Sequence, residues 1–286
     1  MGETDSAIED VKEAADEVAE KVGKHPWVER LARFGYAAKG VVYIVVGALA
    51  TLAAAGMGGE ATGTQGAMRS IARQPFGRVM LGIVAFGLVA YVIWRWVQAI
   101  TDADDKGTDA KGIALRLGYT GSGLVYAGLA YSAARIVFGA EEDGKPGAAE
   151  SWTARVMEFP FGNWLVVLGG LAVIGYGLYQ CYKGYTEKFR KRLKLGEMSE
   201  RGKWWAMRSG RFGFIARGIV FLIVGGFLIQ AALHYDSSEA KGLDGALQLL
   251  IQQSYGKWLL GLVALGLVAY GLYMLIEARY RRIAGS

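Results

Sequence analysis

The stretch RFGYAAKGVVYIVVG, residues 33–47, carries two signals at once: an apolar run free of charge begins at Gly40 and continues to Gly59, and a basic and aromatic head, Arg33, Tyr36, Lys39 and Tyr43, precedes or enters it. Near copies begin at Arg116 (RLGYTGSGLVYAGLA) and at Arg211 (RFGFIARGIVFLIVG). Aligned without gaps, they match Arg33, Arg116 and Arg211; Gly35, Gly118 and Gly213; and Gly40, Gly123 and Gly218. The aromatic positions match as well: Tyr36, Tyr119 and Phe214, then Tyr43, Tyr126 and Phe221. Each copy precedes a second apolar run, opened by Gly77, Gly162 or Gly256 and carrying Tyr91, Tyr176 or Tyr270 fourteen residues later. Trp94, Tyr179 and Tyr273 follow three residues further on. The chain is a tandem repeat of a two-helix unit, present three times.

Composition assigns these runs to a membrane. Of 286 residues, 53% are hydrophobic, 42 are glycine and only 20% are charged, which is far from a soluble globule. Residues 40–59, 117–134, 159–182, 218–233 and 258–276 hold no Asp, Glu, Lys or Arg, and 79–94 is a shorter run closed by Arg95. A hydrocarbon core about 30 Å thick needs roughly 20 such residues in a helix. A membrane barrel would need alternating polarity, which these runs lack. The expected fold is therefore an all-α membrane protein of six transmembrane helices. An even number of spans per unit makes the repeats parallel, so a pseudo-threefold axis along the membrane normal is expected. The organisation reads as an acidic amphipathic helix over 1–24, then repeats at 27–105, 111–195 and 201–282. With six spans, 24 of the 32 Lys and Arg fall on the side of both termini and of the second and fourth loops, which makes that side cytoplasmic.

The opening motif R-x-G-[YF]-x-x-[KSR]-G-x-[VI]-[YF], three times over, resembles the bacterial membrane proteins grouped as domain of unknown function 1206. The resemblance covers about residues 27–280. It implies a six-helix membrane protein of actinobacterial or proteobacterial type, expected in the bacterial cytoplasmic membrane, and supplies no activity. Ser122 departs from the basic residues at Lys39 and Arg217, so the second repeat would contribute differently there. The mitochondrial carriers also have three two-helix repeats, but their proline-acid-base hallmark is missing. The prolines, Pro26, Pro75, Pro146 and Pro160, all lie outside the odd spans.

Arg33, Tyr36, Gly40, Tyr43 and Gly47 recur at spacings of 3, 4, 3 and 4, along one helix face. One reading is a packing seam in which Gly35, Gly40, Gly118, Gly123, Gly213 and Gly218 let backbones approach, with tyrosines filling gaps. The arginines admit two readings. Arg33, Arg116 and Arg211 either snorkel to lipid phosphates or form a basic ring at the mouth of a cytoplasmic vestibule. Lys39 and Arg217 lie deeper, where a charge costs at least a few kcal/mol and must face the bundle or the interface. Tyr91, Tyr176 and Tyr270 fall at the same depth. They read either as an aromatic belt or as the lining of a site for a small anion or a lipid headgroup, together with Ser122.

Other chemistries lack their residues. A lone Cys181 with His25 and His234 near helix ends offers no metal site, and no cofactor motif is present. No nucleophile–base pair or buried carboxylate pair appears, so an enzyme is not expected. Glu277 is placed at the end of the last helix, outside any core span. AMRSIARQPFG, TARVMEFPFG and LDGALQLLIQQSYG in the outer loops read as short interfacial helices. Residues 1–24 carry eight acidic and three basic side chains around an apolar stripe, a candidate surface for self-association, a partner protein or the basic fourth loop. Apart from the bilayer, the expected partners are an anion or anionic lipid; no nucleic acid is expected. The rival function is a scaffold or accessory subunit that transports nothing.

Overall fold

A computed structural model describes residues 26–101, 107, 109–140 and 148–282. The helix expected over 1–24 and most of the acidic loop near 140–150 lie outside the described residues. The described chain is helical: nine α-helices, three short 3-10 turns and an isolated bridge between Leu193 and Arg281. Each repeat is built long, short, long. The first has α1 (Pro26–Ala54), α2 (Thr64–Ala72) and α3 (Gly77–Ile100). The second has α4 (Ala110–Val137), α5 (Ala148–Met157) and α6 (Gly162–Tyr185), and the third α7 (Glu200–His234), α8 (Leu243–Gln252) and α9 (Gly256–Tyr280).

Local chemistry sets the boundaries. Asp109 caps α4 by accepting from the Gly112 N–H at 2.9 Å, and Ser199 caps α7 by accepting from the Gly202 N–H at 3.2 Å. Between the short and the second long helix, Phe76 and Phe161 take left-handed backbone angles, φ 60° and 62°. The glycine that follows is required by close approach. A Cβ on Gly77, Gly162 or Gly256 would collide with the carbonyl of Ile71, Val156 or Ile251 in the last turn of the short helix. The frame Gly77, Gly162, Gly256 is thus a corner that only hydrogen fits.

α3, α6, α7, α9 and α1 from Trp27 are each long and apolar enough to cross a bilayer. α4 has 28 residues, ample length, but Arg116, Thr120, Ser122 and Ser132 dilute its apolar character and it falls short of the other five. Burial runs opposite to that of a soluble protein. Lys39, Gln98, Lys183, Arg217 and Glu277 are buried, while Ile83, Phe86, Leu168, Leu171, Leu262 and Leu265 are exposed. Such an exterior is built for hydrocarbon. Exposed Phe76, Phe161, Tyr255 and Trp258 mark one end of the bundle, and Trp204, Trp205 and Tyr185 the other.

The long helices pack in the order α4, α3, α1, α9, α7, α6. The most extensive interfaces, α6 with α7, α9 with α1 and α3 with α4, each join the second helix of one repeat to the first helix of another. α1 packs on α3, and α7 on α9, within their own repeats; α4 and α6 of the second repeat share no comparable interface among the described residues. On the end carrying the short helices, Asp244 of α8 accepts from Thr62 Oγ1 at 3.2 Å and from the Gly63 N–H, tying the first repeat to the third.

Candidate functional site

Where the long helices meet, three edge-on aromatic pairs form between repeats. Tyr91 of α3 meets Tyr126 of α4 at 4.7 Å between ring centroids, Tyr176 of α6 meets Phe221 of α7 at 5.1 Å, and Tyr270 of α9 meets Tyr43 of α1 at 4.8 Å. Each joins corresponding repeat positions. This geometry turns one face of every ring toward a cation.

The cations are Lys39, Arg95 and Arg217. Lys39 Nζ donates to the Tyr91 hydroxyl at 3.0 Å and stands 4.7 Å from the Tyr91 and Tyr126 ring centroids and 5.7 Å from that of Tyr270. Arg95 Nε donates to the same hydroxyl at 2.8 Å, its Nη2 bonds it too, and its Nη1 donates to Gln98 at 3.1 Å. Arg217 Nη1 donates to the Tyr270 hydroxyl at 2.9 Å, and its guanidinium lies among Phe221, Tyr270, Tyr43 and Tyr176 at 4.8 to 5.8 Å. Its Nε is buried without a hydrogen-bond partner. Among the described residues, no carboxylate lies within ion-pair distance of Lys39, Arg95 or Arg217. The Tyr91 and Tyr270 hydroxyls accept from these cations, so their own protons remain to donate. Arg95 supplies what Ser122 lacks: its Cβ lies 3.5 Å from where a Cβ on Gly123, next to half-buried Ser122, would stand.

Two expectations are corrected here. Arg33, Arg116 and Arg211 do not ring a vestibule. Arg33 pairs with Glu29 at 2.6 Å and donates to the carbonyls of Ala278, at 2.9 Å, and Arg279. Arg116 donates to the carbonyls of Ala99 at 2.6 Å and Ile100 at 2.9 Å, and Arg211 lies 5.9 Å from the Tyr185 ring. All three sit at the carboxyl ends of α9, α3 and α6, where orphan carbonyls and the negative end of the helix dipole attract a guanidinium. Gly118 is the second correction. A Cβ there would meet nothing within 4 Å, whereas on Gly35 it would lie 2.6 Å from the Tyr91 backbone nitrogen and on Gly213 it would collide with Tyr270. Gly40 packs on Gly271, Gly123 on Trp96 and Gly218 on Gly177 and Cys181.

Access also differs from the vestibule expected on the basic-loop side. A cavity of about 410 Å³, lined by Tyr43, Tyr126, Arg217, Phe221, Gln65 and Asp244, lies toward the short helices, away from the basic loop. On the basic-loop end the bundle is sealed. Phe189, fully buried, inserts between Phe214 and Tyr273 with centroids 5.3 and 5.1 Å away and lies against Gly210. Its loop is pinned to the carboxyl end by Lys194 N–H to Tyr280 O at 2.8 Å and Arg282 N–H to Arg192 O at 2.9 Å. Between seal and cations lies a layer that sequence reasoning missed: Gln98, Lys183 and Glu277, at one matching repeat position, all buried. Glu277 is therefore interior, ion-paired to Arg281, while Lys183 Nζ stands 4.0 Å from the Phe214 ring centroid. Arg95, expected only to close its span with a stem long enough to snorkel, turns inward instead to Tyr91, one helical turn before it.

A family model described as Domain of Unknown Function (DUF1206) matches residues 34–102, 117–187 and 212–281. The "Uncharacterized protein YxxB" of Bacillus subtilis (strain 168) is 38% identical over 258 residues, covering 90% of this chain and 93% of the relative. No solved structure matches the chain.

Proposed function

The chain belongs to the DUF1206 family, and on that premise we propose a six-span bacterial cytoplasmic-membrane protein, pseudo-threefold with both termini cytoplasmic, that binds and passes an anionic group at Lys39, Arg95 and Arg217. The observation that carries this reading is a set of three cations gathered among tyrosines, with no carboxylate among the described residues paired to any of them. Lys39 and Arg95 bond one oxygen, so their nitrogens are within about 6 Å, and two unit charges at that distance repel by about 3 kcal/mol at an effective dielectric of 20. Cation–π contacts offset part of this, at roughly 0.5–2 kcal/mol each. A single anion bonded by the polarised hydroxyls and guanidinium donors would turn the repulsion into attraction, the logic of basic anion pores. The reading has no catalytic step: it is a transporter or channel function. The scaffold reading draws on the Phe189 seal, which closes one end of the bundle.

Anion flux into proteoliposomes tests it, with chloride, nitrate, sulfate and phosphate as the panel. The double variant Lys39→Gln/Arg217→Gln, shown to fold, should lose the flux, and Arg33→Gln should keep it. A wild-type protein that passes none of the panel would transfer the proposal to the scaffold.

A further inference from the structure

The second repeat is open where the other two are shut. Gly35 and Gly213 press their own repeat's Tyr91 and Tyr270, and Gly87 and Gly266 press Ala38 and Ala216. The second repeat keeps the same pattern, small residues at Gly118, Gly121 and Ala172 and a tyrosine at Tyr176, yet a Cβ on Gly118 or Gly121 would meet nothing within 4 Å. Tyr91 and Tyr270 are 0% and 2% exposed, while Tyr176 is 43% exposed. Among the described residues α4 and α6 share no interface comparable to the others, and beside the gap a cavity is lined by Val125, Tyr126 and Leu129 of α4 and by Arg217, Phe221 and Val224 of α7, with the Tyr176 ring of α6 5.8 Å from the Arg217 guanidinium. Arg217 contributes a second, independent observation. It is 7% exposed, borders the cavity, and has a buried Nε without a partner.

We infer that the slot between α4 and α6 is a lateral opening to the bilayer through which an anionic phospholipid seats an acyl chain, with its phosphate on Arg217. The inference rests on the cationic centre proposed above and names the class of anion it takes. Charge selects the occupant at the Arg217 end, where a phosphate satisfies the Nε that an apolar chain alone leaves unpaired and a second cation would meet Arg217, while Glu150 and Asp244 line the cavity only at its short-helix end. The slot accounts for the missing α4–α6 interface, since an acyl chain would fill the space that Tyr91 and Tyr270 fill in the other repeats.

The test uses the full chain in mixed phosphatidylcholine and phosphatidylglycerol nanodiscs, released into detergent and weighed by native mass spectrometry, alongside anion flux in proteoliposomes. Wild type should retain phosphatidylglycerol over phosphatidylcholine. Arg217→Gln should weaken that retention about tenfold or more, as loss of charge-assisted bonds to phosphate does. Gly121→Leu fills the slot at a position with open space, so it should fold, lose the lipid and keep flux of the small anions. Retention unaffected by Gly121→Leu, or equal for the two lipids, would overturn the slot as a lipid site. With flux intact that result leaves the anion centre standing, whereas loss of both lipid and flux in wild type removes both.

Discussion

Gly35→Ala and Gly118→Ala make one chemical change at matching positions of two repeats, and the structure assigns them opposite outcomes. At Gly35 the new methyl would lie 2.6 Å from the Tyr91 nitrogen and 2.7 Å from its Cα, about 0.8 Å short of the 3.4 Å at which ordinary contact begins. The obstacle is backbone, so no rotamer change relieves it and α1 and α3 must part. Overpacking of this kind costs about 1–3 kcal/mol, against a gain of about 1 kcal/mol from replacing glycine in a helix. Gly35→Ala should therefore lose up to about 2 kcal/mol net. At Gly118, where nothing lies within 4 Å, only the gain applies, and the variant should be equal to wild type or up to about 1 kcal/mol more stable. Gly213→Ala should follow Gly35→Ala. Reversible unfolding in mixed micelles, followed by tryptophan fluorescence, reads all three against wild type. If Gly118→Ala costs as much as Gly35→Ala, then α4 packs on α6 in the working protein and the slot argument fails.

Other outcomes follow from the same geometry. Arg116→Gln removes two bonds to the end of α3 and should cost about 1–3 kcal/mol while leaving anion flux per folded molecule unchanged; flux lost at full stability would return Arg116 to a vestibule role. Phe189→Ala empties a fully buried ring position and should cost about 3–5 kcal/mol, with raised anion leak through the basic-loop end; unaltered stability and leak would show that the ring seals nothing. Gly77→Ala should destabilise the α2–α3 corner, whereas Gly82→Ala, with no atom within 4 Å, should not, and thermal unfolding of the pair separates corner geometry from a general intolerance of alanine.

The helices and repeats were readable because the restrictions that produce them are local and recur. A hydrocarbon core forces apolar runs, and a glycine needed at a corner is needed at every copy of that corner. The convergence of Lys39, Arg217 and the tyrosines was readable for the same reason, from depth along each helix. Other features depended on directions that spacing does not encode. Arg33 and Arg116 lie at the expected end, but their guanidiniums turn to helix-end carbonyls, and no pattern in their own segment names those acceptors. Gly118 matches Gly35 and Gly213 in sequence and differs only in what stands opposite. Phe189 lies in a run of basic residues, so its burial depends on a loop that closes over the bundle.

A threefold repeat also inverts the usual value of likeness between copies. Where matching positions of three repeats meet in the interior, three copies of one charge would repel by about 3 kcal/mol per pair at 6 Å. Elsewhere identical residues meet different neighbours and face no such limit. Arg33 and Arg116 each bond a different helix end, and Arg211 lies beside Tyr185 at a third, so the same residue serves at all three without the copies meeting. Gln98, Lys183 and Glu277, buried at one repeat position, are neutral, positive and negative. Lys39, Ser122 and Arg217 also diverge, and Arg95 enters beside the serine. In this chain the shared positions describe how the bundle is built, and interior positions where the copies disagree point to its chemistry. By that criterion Lys183 and Glu277 rank above the three repeated arginines as the next residues to vary.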